Sequence, residues 1–194
     1  AFVGTTSALF RRAGGRIAHV VAAGDTLDGH RVAGTGPPAT GTGGCVAFRA
    51  FFAAGGEGVY RQCGAAVDAM ARAGDTAPGG GRLTTFSGTV AVGTGGQVLF
   101  TATVDSGATV LLVAGSQPLA EITRTGSPSP SGGTFTGLRP VGGAADGSVG
   151  FRASVSQGRD GLFLWNAGRL SPFVIVGDVS PAGGQFTSVG GASI

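Results

Sequence analysis

Two cysteines are the residues whose spacing most directly implies chemistry. Cys45 and Cys63 are the only cysteines in the sequence. If the segments around them form a β-hairpin centred on Ala54, the two residues face each other across the strands at a distance that a disulfide spans. We therefore predict a structural Cys45–Cys63 disulfide and an oxidising compartment. Two unlinked thiols are the alternative, and two cysteines alone do not complete a zinc site.

Three aspartates occur in Gly-Asp pairs, as Asp25, Asp75 and Asp178. A carboxylate in a tight turn commonly accepts backbone N–H bonds of that turn, so a turn-closing role is predicted. Calcium binding is the alternative, because carboxylate and carbonyl oxygens are its usual ligands. Ser127 replaces the aspartate in the third of the four copies, which favours turn closure. We expect no metal and no cofactor.

Candidates for catalysis are few and separated along the chain. His19 and His30 are the only histidines, and Glu57 and Glu121 are the only glutamates. No nucleophile elbow accompanies the histidines, and no partner carboxylate lies near either glutamate in sequence. The sequence therefore predicts a protein that is not an enzyme.

Trp165 is the single tryptophan and is a tentative ligand contact. An indole ring is able to stack on a sugar, which would suit a glycan-binding module. Packing at the edge of a sheet is an equally good interpretation of this residue.

The sequence that contains these side chains repeats with a period of about 50 residues. The pairs Gly24-Asp25, Gly74-Asp75, Gly126-Ser127 and Gly177-Asp178 follow one another at spacings of 50, 52 and 51 residues. A second landmark has the same phase and comprises Gly44–Ala50, Gly96–Ala102 and Gly147–Ala153, and Ala1-Phe2-Val3 resembles the remnant of a fourth such segment. Phe2, Phe48, Phe100 and Phe151 are thereby aligned as core residues. The units are approximately 1–24 plus 185–194, 25–74, 75–126 and 127–184, within one repeat domain.

Within each unit the pattern is that of short strands. Apolar and polar residues alternate around Val98–Thr103, and Gly, Pro or Asp bounds each run. The helix-tolerant run 65–73 aligns with strand segments of the other units. Four antiparallel strands in about 50 residues are typical of a propeller blade, so an all-β fold, and most simply a four-bladed β-propeller, is predicted.

The two ends of the sequence share one unit. The segment after Phe186 matches a first strand, whereas the chain begins inside a second strand. Pairing of these segments within one chain closes a ring and removes edge strands. Pairing between copies gives an open array in which each chain completes its neighbour, and this arrangement builds filaments.

Composition excludes several classes of function. The 13 basic residues are all Arg and are scattered, so no nucleic-acid surface is expected. No apolar run is long enough for a membrane span. Glycine is abundant at 40 residues, but 42% hydrophobic and only 12% charged residues favour a packed core over disorder.

The repeat resembles tandem repeats of secreted and surface-anchored bacterial proteins, which read GDxxPGGGxFxxF and then NxxGxVAFxA. The repeat from Gly74 to Gly126 matches best. The Asn of that pattern is replaced here by Gly41, Gly93 and Ala144. The resemblance implies an extracytoplasmic repeat protein.

These expectations define a functional hypothesis. We expect a secreted or cell-surface structural or adhesive protein that assembles with copies of itself or with other surface proteins. The alternative is a glycan- or protein-binding propeller module, and an enzyme with a site built across blades is third.

Overall fold

The computed structural model describes residues 2–3, 6–13, 15–115, 118–144, 146–156 and 160–190, and they form an all-β fold. The strands build four antiparallel sheets, each of which falls within one predicted repeat. The predicted fold class is therefore confirmed. Ala1 and residues 191–194, which the sequence assigns to the first unit, lie outside the described residues.

The strands follow the chain in order within every sheet. Sheet 1 contains β1 (Phe2–Val3), β2 (Thr6–Ala13) and β3 (Arg16–Ala22). Sheet 2 contains β4 (Thr26–Leu27), β5 (His30–Thr35), β6 (Ala39–Thr40), β7 (Val46–Phe52), β8 (Glu57–Gln62) and β9 (Val67–Arg72), with a short 3₁₀ turn at Thr42–Gly44. Sheet 3 contains β10 (Leu83–Val92), β11 (Val98–Val104), β12 (Thr109–Ala114) and β13 (Ala120–Arg124). Sheet 4 contains β14 (Phe135–Gly143), β15 (Val149–Val155), β16 (Gly161–Asn166) and β17 (Arg169–Ile175).

Sheet 2 differs from sheets 3 and 4 in its first strand. Pro37 and Pro38 lie between β5 and β6, which both pair with β7. Proline has no N–H to donate to a sheet ladder, so the strand is divided into two shorter pieces. The helix-tolerant run 65–73 contains β9, as its alignment with the other repeats predicted.

Three hydrophobic cores join neighbouring sheets. Sheets 1 and 2 enclose Val21, Val32, Phe48 and Tyr60 among others. Sheets 2 and 3 share a second core, and sheets 3 and 4 share a third. Sheets 2 and 3 therefore contribute side chains to a core on each of their two faces, which accounts for strands that are almost continuously apolar, such as Val98–Val104.

Glycines bring the first strands of sheets 2, 3 and 4 close together. A Cβ atom on Gly93 would lie 3.0 Å from the Cα atom of Gly143, and one on Gly41 would lie 3.2 Å from the carbonyl oxygen of Gly93. Backbone bonds close the turns at these positions, for example from Gly93 N–H to the Gln97 carbonyl at 2.8 Å. A larger residue such as Asn would therefore collide with the next sheet.

The register of sheet 1 corrects the predicted alignment of Phe2. Phe2 pairs with Ser7, whereas Phe51 pairs with Glu57 and Thr103 pairs with Thr109. Ser7, Glu57 and Thr109 follow the repeat spacing, so Phe2 corresponds to Phe51 and not to Phe48. The hairpin turn between β1 and β2 is shorter than its counterparts in the other sheets. Matching the sequence motifs did not take this turn length into account, and it therefore assigned Phe2 to the wrong position of the repeat.

Ring closure stays a prediction. Residues 186–190 form no strand, and within the described residues no hydrophobic core joins sheet 4 to sheet 1.

Candidate functional site

The predicted disulfide is present. Cys45 precedes β7 and Cys63 follows β8, and their sulfurs are bonded at 2.08 Å with the Cα atoms 4.1 Å apart. Val46 pairs with Gln62, so the cysteines extend the same ladder by one position. The disulfide packs against sheet 3, because a Cβ atom on Gly96 would lie 2.8 Å from the Cys63 sulfur.

Asp25 and Asp75 lie in turns that connect one sheet to the next, and Asp178 lies in the corresponding turn that follows sheet 4. The Oδ2 atoms of Asp25, Asp75 and Asp178 accept hydrogen bonds at 2.7, 2.7 and 2.8 Å from the backbone N–H three residues earlier. Ser127 occupies the same position, and its N–H donates to the Arg124 carbonyl at 3.1 Å as the aspartate N–H groups do in their turns. Each carboxylate thus orients its own turn.

The candidate catalytic side chains have separate structural contacts. His19 faces Asp25 at 3.3 Å, and His30 packs against the ring of Phe52. Glu57 accepts a hydrogen bond from the Phe86 N–H at 2.7 Å. Among the described residues, no hydrogen bond or ion pair joins two of the four candidates, and no group of three or more His, Cys, Asp or Glu is placed to hold a metal ion.

Ionisable groups whose pKa values are shifted likewise take part in structural contacts. The hydrogen bond from Arg152 at 2.7 Å lowers the pKa of the Asp160 carboxyl. Hydrogen bonds to Glu121 raise the pKa of the Arg124 guanidinium. Burial raises the pKa of Tyr60 to about 12, so its phenol is neutral at physiological pH. None of these shifts produces a group poised to exchange protons near pH 7.

Trp165 lies on β16, opposite Val149 on β15 and Leu170 on β17. Its ring is half-buried and packs against the core between sheets 3 and 4. The structure thus gives Trp165 a packing contact, and a role in ligand binding stays a prediction.

Two arginines that appeared scattered in the sequence connect neighbouring sheets. Arg11 of sheet 1 donates to the Gly44 carbonyl at 3.2 Å, and Arg61 of sheet 2 donates to the Gly96 carbonyl at 2.8 Å. Arg11 and Arg61 are 50 residues apart, and Gly44 and Gly96 are 52 apart. The shared period of donors and acceptors was a sequence signal that such a contact recurs. The sequence does not identify the accepting carbonyl, because that carbonyl belongs to a neighbouring sheet in the stack.

A β-bulge recurs in the last strand of every sheet. The pairing skips one residue in each of β3, β9, β13 and β17. The bulged residues are Val20, Met70, Ile122 and Phe173, at spacings of 50, 52 and 51. The first three pack into the core shared with the following sheet. Phe173 belongs to none of the cores that the described residues form, and it is 64% exposed.

The back face of sheet 4, formed by Leu162, Leu164 and Phe173, is consequently open. Leu162 and Leu164 are half-buried, whereas Leu111 and Val113 at the equivalent places in sheet 3 are buried against sheet 4. The difference follows from the stacking, because sheet 4 covers sheet 3 on this side, whereas no sheet of the described residues covers sheet 4.

The front face of sheet 1, formed by Phe10 and Ile17, shows the complementary pattern. Phe10 is 38% exposed, and its equivalents Tyr60, Leu112 and Phe163 are buried in the core shared with the preceding sheet. Ile17 is 75% exposed, whereas its equivalents pack against that core in each of the other sheets; they are Val67, Leu119 and Leu170. The described structure is thus a stack with an apolar face at each end.

These features define an all-β repeat protein built of four stacked antiparallel sheets. The chain belongs to DUF7453, a family of unknown function, whose model matches residues 3–194. Searches of curated proteins and of solved structures found no significant match.

Two observations bear on where the protein acts. The Cys45–Cys63 disulfide is compatible with an extracellular location. In the described part of the chain, no helix combines the length and the apolar character that crossing a membrane requires.

Proposed function

We propose that this chain is a non-enzymatic structural or adhesive protein of the bacterial cell exterior, and that it acts by assembling with copies of itself or with other surface proteins. The observation that carries this proposal is the exposure of Phe10, Ile17 and Phe173 at positions that are interior in the other repeats. Covering such apolar surface is favourable by about 25 cal/mol per Å².

Two further features support this proposal. The disulfide suits an oxidising, extracytoplasmic environment, as does the resemblance of the repeat to secreted and surface-anchored proteins. The candidate catalytic residues are occupied in packing and turn contacts, which favours an architectural role.

Light scattering after size-exclusion chromatography tests the proposal. We expect a mass that is a multiple of 18.7 kDa and rises with concentration, with extended particles in electron micrographs. A mass of 18.7 kDa at every concentration would contradict self-assembly and direct attention to ligands of a discrete module.

A matched pair of variants links assembly to the end face. Phe173→Asp is expected to abolish the high-mass species because it places a charge on the back face of sheet 4. Val179→Asp is the control, since Val179 is 75% exposed but lies in a turn whose equivalent positions, including Thr76 and Pro128, are also exposed. Equal loss of assembly in both variants would show that added charge, and not the face, is responsible.

A further inference from the structure

One guanidinium of sheet 1 contacts both halves of the disulfide-linked hairpin in sheet 2. Arg11 donates to the Gly44 carbonyl at 3.2 Å and to the Gly64 carbonyl at 3.0 Å. Gly44 directly precedes Cys45, and Gly64 directly follows Cys63. The two acceptors of Arg11 are therefore the backbone carbonyls that flank the disulfide on either side.

The segments that carry these carbonyls, residues 43–45 and 63–65, are joined by little else. Beyond the Val46–Gln62 pair, no described hydrogen bond or ion pair connects one segment to the other. The hydrogen bonds that they form on their own are local, for example from the Gln62 side chain to the Ala65 carbonyl at 3.2 Å. Because both segments contain glycine and lie mostly at the surface, they lose conformational freedom when they are ordered. The disulfide therefore sets the distance between the two carbonyls.

The equivalent arginine at the next interface has one backbone acceptor instead of two. Arg61 donates to the Gly96 carbonyl at 2.8 Å, and its second terminal nitrogen donates to Asp68 of its own sheet at 3.3 Å. In sheet 3 the positions of the two cysteines are occupied by Gln97 and Gly115, 52 residues later in each case. The contact with both halves of a hairpin thus coincides with the disulfide.

From these observations we propose that the Cys45–Cys63 disulfide is a redox-sensitive lock on the interface between sheets 1 and 2. In the oxidised chain, the disulfide holds the Gly44 and Gly64 carbonyls in place for Arg11. Reduction lets the two segments separate, which frees the guanidinium and loosens sheet 1 from the core that it shares with sheet 2. The lock acts within one chain, so it does not depend on the proposed self-assembly.

Thiol–disulfide exchange with a dithiol reductant opens the lock. Cys63 is exposed, whereas Cys45 is only 6% exposed, so we assign the attack to the Cys63 sulfur. The first thiolate of the reductant bonds to this sulfur as the S–S bond breaks, and Cys45 leaves as a thiolate that takes a proton from solvent. The second thiolate of the reductant then displaces Cys63, which is protonated in turn. Two electrons and two protons thus pass from the dithiol to the disulfide.

Amide hydrogen exchange in the presence and absence of dithiothreitol tests the lock. Reduction should accelerate exchange in β2 and β3 about tenfold to hundredfold, as expected when a charged donor loses its acceptors. Exchange in β15 and β16 should not change, because sheet 4 shares no core with sheet 2 in the described structure. Unchanged exchange in sheet 1 would overturn the proposal. Equal acceleration in sheets 1 and 4 would also overturn it, because it would show a general loss of stability.

Arg11→Ala tests whether the guanidinium transmits the effect. The oxidised variant should exchange the amides of β2 and β3 as fast as the reduced unmodified chain, and dithiothreitol should cause no further acceleration. Arg12→Ala is the matched control, since Arg12 is an exposed neighbour on the same strand, and it should keep the full response to reduction. If reduction accelerates exchange equally in Arg11→Ala and in the unmodified chain, the disulfide and the guanidinium act independently and the proposal is wrong.

A chain without cysteines keeps the test decisive if the reduced protein loses its fold. Cys45→Gln combined with Cys63→Gly introduces the pair that sheet 3 has at these positions, where β11 and β12 pair without a disulfide. This chain should exchange the amides of β2 and β3 about tenfold to hundredfold faster than the oxidised chain, with or without dithiothreitol. Exchange in sheet 1 as slow as in the oxidised chain would refute the lock.

Discussion

The interface between sheets 2 and 3 and the interface between sheets 3 and 4 use the same strand positions but are stabilised differently. In the first, Arg61 donates to the Gly96 carbonyl and Glu57 accepts from the Phe86 N–H. In the second, Val113 takes the place of Arg61, and Phe135, Phe151 and Phe163 pack with ring centroids 5.2 to 6.1 Å apart. One repeat scaffold therefore combines the Phe86–Phe100 pair with polar bonds to the neighbouring backbone in one interface, and uses a three-ring aromatic cluster in the next.

The aromatic interface should be the most sensitive to truncation. Phe163→Ala is expected to lower the free energy of unfolding by about 3–5 kcal/mol, because it removes a fully buried ring and leaves a cavity. Denaturant unfolding followed by fluorescence of Trp165, which packs at the same core, measures the loss. Leu164→Ala is the control on the half-buried back face. A loss no larger than that of the control would contradict the comparison.

The disulfide should have the next largest effect, and it should act on the interface between sheets 2 and 3. Its cysteines are 18 residues apart, for which chain entropy predicts a stabilisation of about 3 kcal/mol. Reduction should lower stability by this amount and increase amide exchange in β7 and β8. Reductant added to a Cys45→Ala, Cys63→Ala chain is the control and should change nothing.

Loss of the arginine contact should have the smallest of the three effects. Arg61→Ala is expected to cost about 1.5–3 kcal/mol, because a charged donor to a partly buried carbonyl is removed. Arg139→Ala, at an exposed position of sheet 4, should be nearly neutral in the same unfolding assay. If both substitutions cost the same, the contact with Gly96 contributes nothing specific to the interface.

Features that depend on neighbouring residues in the chain were predictable from sequence. The period identified four sheets, and the hairpin symmetry paired Cys45 with Cys63. The Gly-Asp motif indicated turns in which the carboxylate accepts a backbone bond. Strand β9 was recognised despite its helix-tolerant residues because its equivalents are strands. Phe2 was misplaced, since its register depends on the length of a turn that repeat matching does not measure.

The sequence by itself determined the all-β class, the repeat length, the turn chemistry and the cysteine pairing, because local hydrogen bonding and hairpin geometry set all of these. Only the tertiary structure decided which apolar residues are covered. Val20, Met70, Ile122 and Phe173 are equivalent in sequence phase, yet Phe173 alone is exposed, because no sheet covers the back face of sheet 4 among the described residues. Burial depends on the neighbour across the stack, and that information is not local to the chain.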